Sequence, residues 1–314
     1  MSRPDFAERG PALPASLVAL VFSAVAVTAH ADEDTSDFTL SGALELGGEY
    51  NSNVSVTELE TATGTSDVAW IMDANLDLNW QASDRLTVDA GVSHNASRYR
   101  DADDFDLMLN LLHGDIAYQF DHFLLGSSMY LADARLGGDG FLTMRQGSLY
   151  VGKLLADQFF LRGAINATDK DFDTLSGRDA DNIGLRFDGF WFFNEGRSSL
   201  SVGYSREDED ARQSRYAYHA NIYRARYSHR MPVAGMEGRL QLGLRLQDRS
   251  YKGVTPEIEA RRNDDQLVAE VRFDLSLNDH LAVVSRVEHG DYQSNFASAD
   301  YRETRAVLGL RLSF

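Results

Sequence analysis

The chain has 314 residues, carries 48 acidic against 30 basic side chains for a formal net charge of −18, and contains no cysteine. That charge excludes nucleic acid as a partner, whose phosphates would be repelled, and the missing thiols exclude a disulfide framework, a thiolate metal site and a cysteine nucleophile. Beyond the amino terminus no apolar run reaches the roughly 18 residues that a spanning helix needs, so any crossing of a membrane must be made by a closed barrel.

Arg3 and Arg9 precede an apolar run over 16–27, and Ala29-His30-Ala31 places small residues where a signal peptidase reads them. Residues 1–31 therefore read as a signal peptide, with a weak transmembrane anchor as the alternative, and 32–314 as one barrel domain.

From Phe38 onward one theme repeats about every 20 residues, a strand plus its connection. The first strand, 38–51, sets Phe38, Leu40, Leu44 and Leu46 against Ser41, Glu45 and Glu49, and the polar stretch 51–66 reads as a long loop. The second, 67–80, alternates cleanly, with Trp70 and Trp80 ten residues apart on its apolar face, the spacing of two aromatic girdles around an apolar band. Strands follow over 85–97, 105–120, 123–132 and 141–154, the fifth and sixth joined by the glycine loop 137–140, which is free to fold inward or to stand out from the rim. In 141–154, Arg145 and Lys153 share the parity of Leu149 and Val151, which predicts a bulge or an inward shift. Strands over 158–170, 182–194, 197–208, 216–230, 237–251, 266–277, 280–293 and 301–314 complete the set. The last alternates Ala306, Leu308, Leu310, Leu312 and Phe314 with Glu303, Arg305, Gly309, Arg311 and Ser313, as the closing strand of an outer-membrane barrel does, with Phe314 as its assembly signal. Pro232 and Pro256 fall in connections.

Short turns and long loops alternate strictly, which predicts an all-β, transmembrane, antiparallel up-and-down β-barrel of about fourteen strands. The polar face carries too many charges for a dry interior, since each unpaired buried charge costs several kcal/mol. The charges must then face water inside the barrel, and the leucines must face lipid.

Taken as lumenal, the polar parity divides. The early strands supply an acidic wall of Glu45, Glu49, Asp73, Asp77, Asp89 and Asp115. The later ones supply a basic wall of Arg162, Arg186, Arg224, Arg226, Arg239, Arg245, Arg249, Arg272, Arg286, Arg305 and Arg311. Facing walls would set up a transverse field that orients dipolar solutes; pairing across neighbouring strands would instead hold the barrel's shape. His113 with Asp115, and His94 with Asn95, lack a serine in a recognisable motif, so no catalytic set and no enzyme is expected. Asp169, Asp171 and Asp173 open like a calcium loop, but Thr174 and Ala180 stand where glycine and glutamate belong, so no metal site or cofactor is expected there. Asp101, Asp103, Asp104 and Asp106 either bridge divalent ions to lipopolysaccharide or form a solvated loop.

The opening Gly47-Gly48-Glu49-Tyr50-Asn51-Ser52-Asn53-Val54 and the ending 300–314 resemble proteobacterial outer-membrane barrels, in particular the fourteen-stranded barrel of surface lipoprotein assembly modifier proteins. That resemblance implies an outer-membrane location and, as one function, help in bringing lipoproteins to the surface. Only Asp32 to Asp37 separate the leader from the first strand, so the family's helical repeat domain is expected to be missing. The expected function is a passive channel for small polar or charged solutes, with translocation or assembly of a lipoprotein or polysaccharide as the alternative. Expected partners are outer-membrane lipid and lipopolysaccharide, the barrel-assembly machinery through the last strand, small solutes and, under the alternative, a periplasmic export partner.

Overall fold

A computed structural model describes residues 37–56 and 58–314, so the segment read as a signal peptide lies outside the described residues. β1 (Asp37–Asn51) leads into a two-residue hairpin, β2 (Ser55–Val56) and β3 (Thr61–Ala62). The strands β4 (Asp67–Ser83), β5 (Leu86–Tyr99), β6 (Leu107–Gln119), β7 (Leu124–Leu136), β8 (Asp139–Leu155) and β9 (Phe159–Phe172) follow. After them come β10 (Ala180–Phe193), β11 (Ser198–Ala211), β12 (Tyr218–Val233) and β13 (Met236–Thr255). β14 (Ala260–Ser276), β15 (Leu281–Ser294) and β16 (Tyr301–Ser313) complete the chain. All but β2 and β3 join in one closed ring in which each strand is antiparallel to both neighbours, a fourteen-stranded up-and-down barrel.

The ring closes between β1 and β16, from Ala43 opposite Ser313 to Asn51 opposite Arg305. Gly47 lies directly across from Gly309 there, and a β-carbon on Gly47 would stand 2.7 Å from the Leu308 carbonyl oxygen. The seam is therefore sealed by backbone contact that no larger residue permits.

The two-residue period sorts the strands as barrel physics requires. Leu242, Leu244 and Leu246 of β13 and Leu308, Leu310 and Leu312 of β16 are exposed on the outside, whereas Gln241, Gln247 and Arg249 are buried inside. Trp70 and Trp80 both point outward on β4, Trp70 being 79% exposed. Ten residues are about 33 Å of strand, which a tilt near 40° reduces to about the 25 Å height of an apolar band. At the short-turn end Trp80 stacks on Phe38 at 5.3 Å, and Phe159, Trp191, Phe193 and Tyr227 continue the girdle.

Three details depart from the sequence pattern. Gly137 and Gly138, both at positive φ, make a two-residue hairpin in place of a glycine loop, because glycine alone takes that left-handed turn without strain. The alternation of short and long connections is thus not strict. Arg145 and Lys153 stay on the outer face: β8 runs past the apolar band, where Arg145 binds Asp169 and Asp171 at 2.7 and 2.8 Å. The bulge of this strand lies instead at Phe141, between the Ala134–Leu142 and Arg135–Gly140 pairs. Pro232 sits near the end of β12 rather than in a connection, exposed where its missing N–H costs the ladder little.

Candidate functional site

The connection 52–66 turns into the barrel instead of away from it. Val54 and Val56 are buried, and the hairpin holds itself with hydrogen bonds from Val54 N to the Thr65 oxygen and from Thr63 N to the Val54 oxygen. The loop is fixed at three places. At its base Asn51 and Ser55 donate to the two oxygens of Glu303 at 2.6 and 2.8 Å, and Arg305 donates to Glu303 at 2.7 Å. On one flank Val56 and Leu59 pack against Leu109, Leu111, Tyr130, Phe141, Leu142 and Phe172, an apolar patch on the inner wall of β6 to β9. At its tip Glu60 reaches the arginines of β13 and β14.

β6 to β9 and β13 to β14 lie on opposite sides of the ring, so the loop crosses the lumen. The Glu60 carboxylate binds Arg249, accepts from Arg262 at 2.7 Å and from the Tyr251 hydroxyl at 2.5 Å, and lies 4.0 Å from Arg178. Arg178 also donates to the Glu58 carbonyl at 2.9 Å. Burial pushes the Glu60 carboxyl up, but Arg249, Arg262, Arg178 and the Tyr251 hydroxyl outweigh it and leave the group below its ordinary range. Glu60 adopts a left-handed φ of 55°, a conformation uncommon outside glycine, so its contacts hold a strained residue.

Below the loop the side chains read as acidic and basic walls all point inward, but they are not two separate sheets of charge. Because β1 closes on β16, Glu45 accepts from Arg272 at 3.1 Å; Arg272 also donates to Asp274 at 2.9 Å, and Arg311 reaches Asp274 at 2.9 Å. Asp115 accepts from the Tyr150 hydroxyl at 2.6 Å, and Arg162 lies over the same tyrosine ring at 3.9 Å. Glu49 accepts from Tyr99, Asp89 from Asn79 at 2.6 Å, and Asp77 from Asn75 at 2.5 Å. Arg186 pairs with Asp188 at 2.8 Å and Arg226 with Glu270 at 3.5 Å. Arg239 donates to Ser228 at 3.3 Å.

Not all the charge is spent in pairs. Arg224 stands directly across from Arg245, and Arg272 across from Arg286. On the other side Asp89 faces Asp115 and Glu45 faces Asp73. Arg224 donates to Ser205, Arg245 to Gln247 and Gln266, and one Nη of each of Arg224, Arg272 and Arg286 has no hydrogen-bond partner among the described residues. Like charges set opposite one another destabilise a sheet; the Arg272–Glu45 bridge offsets that for its own pair, but stability does not explain Arg224 facing Arg245. His113 lies 3.6 Å from Asp77 on the inside, while His94 is on the outside bonded to Asn110, so the two histidines form no common set.

The inward course of the loop is not legible in the sequence, where 51–66 reads only as a long polar loop. The signal lay in Val54, Val56 and Leu59 together with the leucines at lumenal parity on β6, Leu109 and Leu111.

A closed fourteen-stranded barrel, greasy outside and charged within, has the fold of outer-membrane β-barrels. Solved structures agree on that class. An anion-selective porin from Comamonas acidovorans superposes with a TM-score of 0.53 at 12% identity, covering 89% of this chain and 100% of the porin. A loop-deletion form of OmpT, an outer membrane protein of Vibrio cholerae, gives 0.50 at 10% identity, covering 90% and 100%. No protein-family model matches the chain, and no curated protein matches it significantly.

Proposed function

We propose that this protein is a passive channel of the bacterial outer membrane for small charged solutes, favouring anions, without catalysis or cofactor. The observation that carries the reading is an arginine facing an arginine inside the barrel, Arg224 with Arg245, both only half-buried and neither in an ion pair with a carboxylate among the described residues. In a water-filled lumen such groups cost little when solvated, and they lower the barrier for an anion with each step along the wall. Asp73, Asp89 and Asp115 across the lumen give that path a transverse field. The loop 52–66 narrows the bore at the long-loop end. Membrane lipid and lipopolysaccharide contact the leucine face, and the exposed Phe314, hydrogen-bonded to Gly42 through its backbone, is what assembly machinery reads.

Planar-bilayer recording tests this. The purified barrel gives stable unit currents with anion preference, and Arg224→Gln with Arg245→Gln shifts that preference toward cations several-fold. A folded barrel that carries no current under any voltage overturns the reading. The resemblance to surface lipoprotein assembly modifier barrels supports a second function, export of a lipoprotein or polysaccharide, and the loop spanning the lumen suits a barrel kept shut until a partner docks. Silence in the bilayer together with co-purification of a periplasmic protein favours that one.

A further inference from the structure

Three guanidinium groups and a phenol converge on the Glu60 carboxylate, and that carboxylate belongs to a loop, not to the wall. The wall has its own acid nearby: Asp264 binds Arg262 at 2.8 and 2.6 Å through both oxygens. Arg262 nevertheless keeps a third N–H for Glu60, and Arg249 spends its charge on Glu60 as well. The cations are held in place from behind. Arg249 lies over the Tyr218 ring at 4.2 Å, Arg178 over Tyr216 at 4.3 Å, and Arg262 over Tyr251 at 4.8 Å. Guanidinium groups stacked in this way, each presenting an N–H to the same point, lose little freedom in binding a carboxylate. Glu60 fits them only by taking a left-handed backbone, so the site selects its occupant by charge and not by an easy loop conformation.

The geometry points to a carboxylate-binding subsite made by Arg249, Arg262, the Tyr251 hydroxyl and Arg178, whose resident occupant is Glu60 and whose exchangeable occupant is a small carboxylate solute. This deepens the channel reading and rests on it. A solute carboxylate that takes these N–H groups releases the tip of the loop and with it loosens the Val56 and Leu59 contacts, leaving the loop held by Glu303 at its base. The tethered competitor acts at an effective concentration in the millimolar range, so free carboxylates must be abundant to displace it. Weak, saturable binding of that sort suits a passive pore.

Calorimetric titration of the refolded full chain in detergent with succinate tests the site. Glu60→Gln, which lies in a loop outside the ladder, binds succinate at least tenfold more tightly than the unmodified protein. Adding Arg249→Gln and Arg262→Gln to it removes the binding. Equal affinity in Glu60→Gln and the unmodified chain overturns the inference. A second measurement leaves Glu60 intact: the chain has no cysteine, so Val56→Cys is its only thiol, buried between the loop and the inner wall. Succinate speeds its reaction with a charged maleimide several-fold, and chloride at equal ionic strength does not; no acceleration counts against the site. Neither readout needs current. Succinate binding in a barrel that never conducts removes the channel and keeps the site, whereas conduction with no succinate effect removes the site and keeps the channel.

Discussion

Arg272 is 1% exposed and holds the closing seam together, because its partners Glu45 and Asp274 belong to β1 and to its own strand β14, with Arg311 of β16 completing the ring of charges. Arg272→Gln removes two charge-assisted hydrogen bonds, each worth about 1.5–3 kcal/mol. Asp274 keeps Arg311, but Glu45, itself 2% exposed, is left with no cation within bonding distance among the described residues. Breaking a buried pair by removing one partner costs about 3–5 kcal/mol. Lumenal water and the surviving Arg311 pair place this case at the lower end, about 3 kcal/mol, or roughly a 150-fold shift in the folding equilibrium. Urea unfolding from lipid vesicles reads it through tryptophan fluorescence, since the chain's three tryptophans, Trp70, Trp80 and Trp191, all lie on the outer face. The double variant Glu45→Gln with Arg272→Gln recovers at least 1 kcal/mol of coupling. A single-variant loss under about 1 kcal/mol, or strict additivity in the double variant, refutes the reasoning.

Acid should release the loop, and only strong acid. The depressed Glu60 carboxyl contributes anchoring that is fully present above the ordinary carboxylate pKa near 4.3 and is lost as pH falls through the lower folded value. It is faced by Arg249 and Tyr251 of β13, Arg262 and Asp264 of β14, and Arg178 of the 173–179 connection, with Tyr292 and Tyr301 lining the same space. Reaction of Val56→Cys with a dipyridyl disulfide, which attacks thiols in acid where a maleimide does not, taken relative to the unfolded chain at each pH, should therefore stay slow from pH 7 to pH 5 and rise below about pH 4; release between pH 5 and 6 would contradict this. Leu149 is 66% exposed on the outer face of β8, so Leu149→Arg should cost about 2–4 kcal/mol in vesicle unfolding, while Lys153→Leu, nearer the short-turn end, leaves stability within about 0.5 kcal/mol. Equal effects from the two would mean that β8 does not cross the apolar band as described. Gly47→Val drives a β-carbon into the backbone of β16 and should cost about 1–3 kcal/mol, whereas Gly48→Val, with open space around it, should be tolerated. Urea midpoints that fall together would refute the close backbone contact at the seam.

The barrel was legible because its signal is local and repeated. In β13, Leu240, Leu242, Leu244 and Leu246 alternate with Arg239, Gln241 and Arg245, and no long-range information is needed to assign the two sides. The loop was not legible because its contacts are remote: Glu60 meets Arg249 and Arg262 across 189 and 202 residues of chain. Two glutamates, Glu58 and Glu60, among threonines and serines give no sign of which arginines either will find. The wall-to-wall reading of the charges was blurred for a related reason. Parity says that Glu45 and Arg272 both face inward, but only ring closure brings β1 within reach of β14. Arg145 misled in the opposite sense, since a strand that continues past the bilayer becomes polar on its outer face without turning.

The account depends on the charged side of each strand being wet and the leucine side lying in hydrocarbon. Single cysteines placed in turn along β13 from 240 to 246, in a chain with no native thiol, test that directly when proteoliposomes are treated with a small, charged, water-soluble thiol reagent. Positions 241, 243 and 245 should react and positions 240, 242, 244 and 246 should not. Uniform reaction along the strand, or the reverse alternation, would contradict the account.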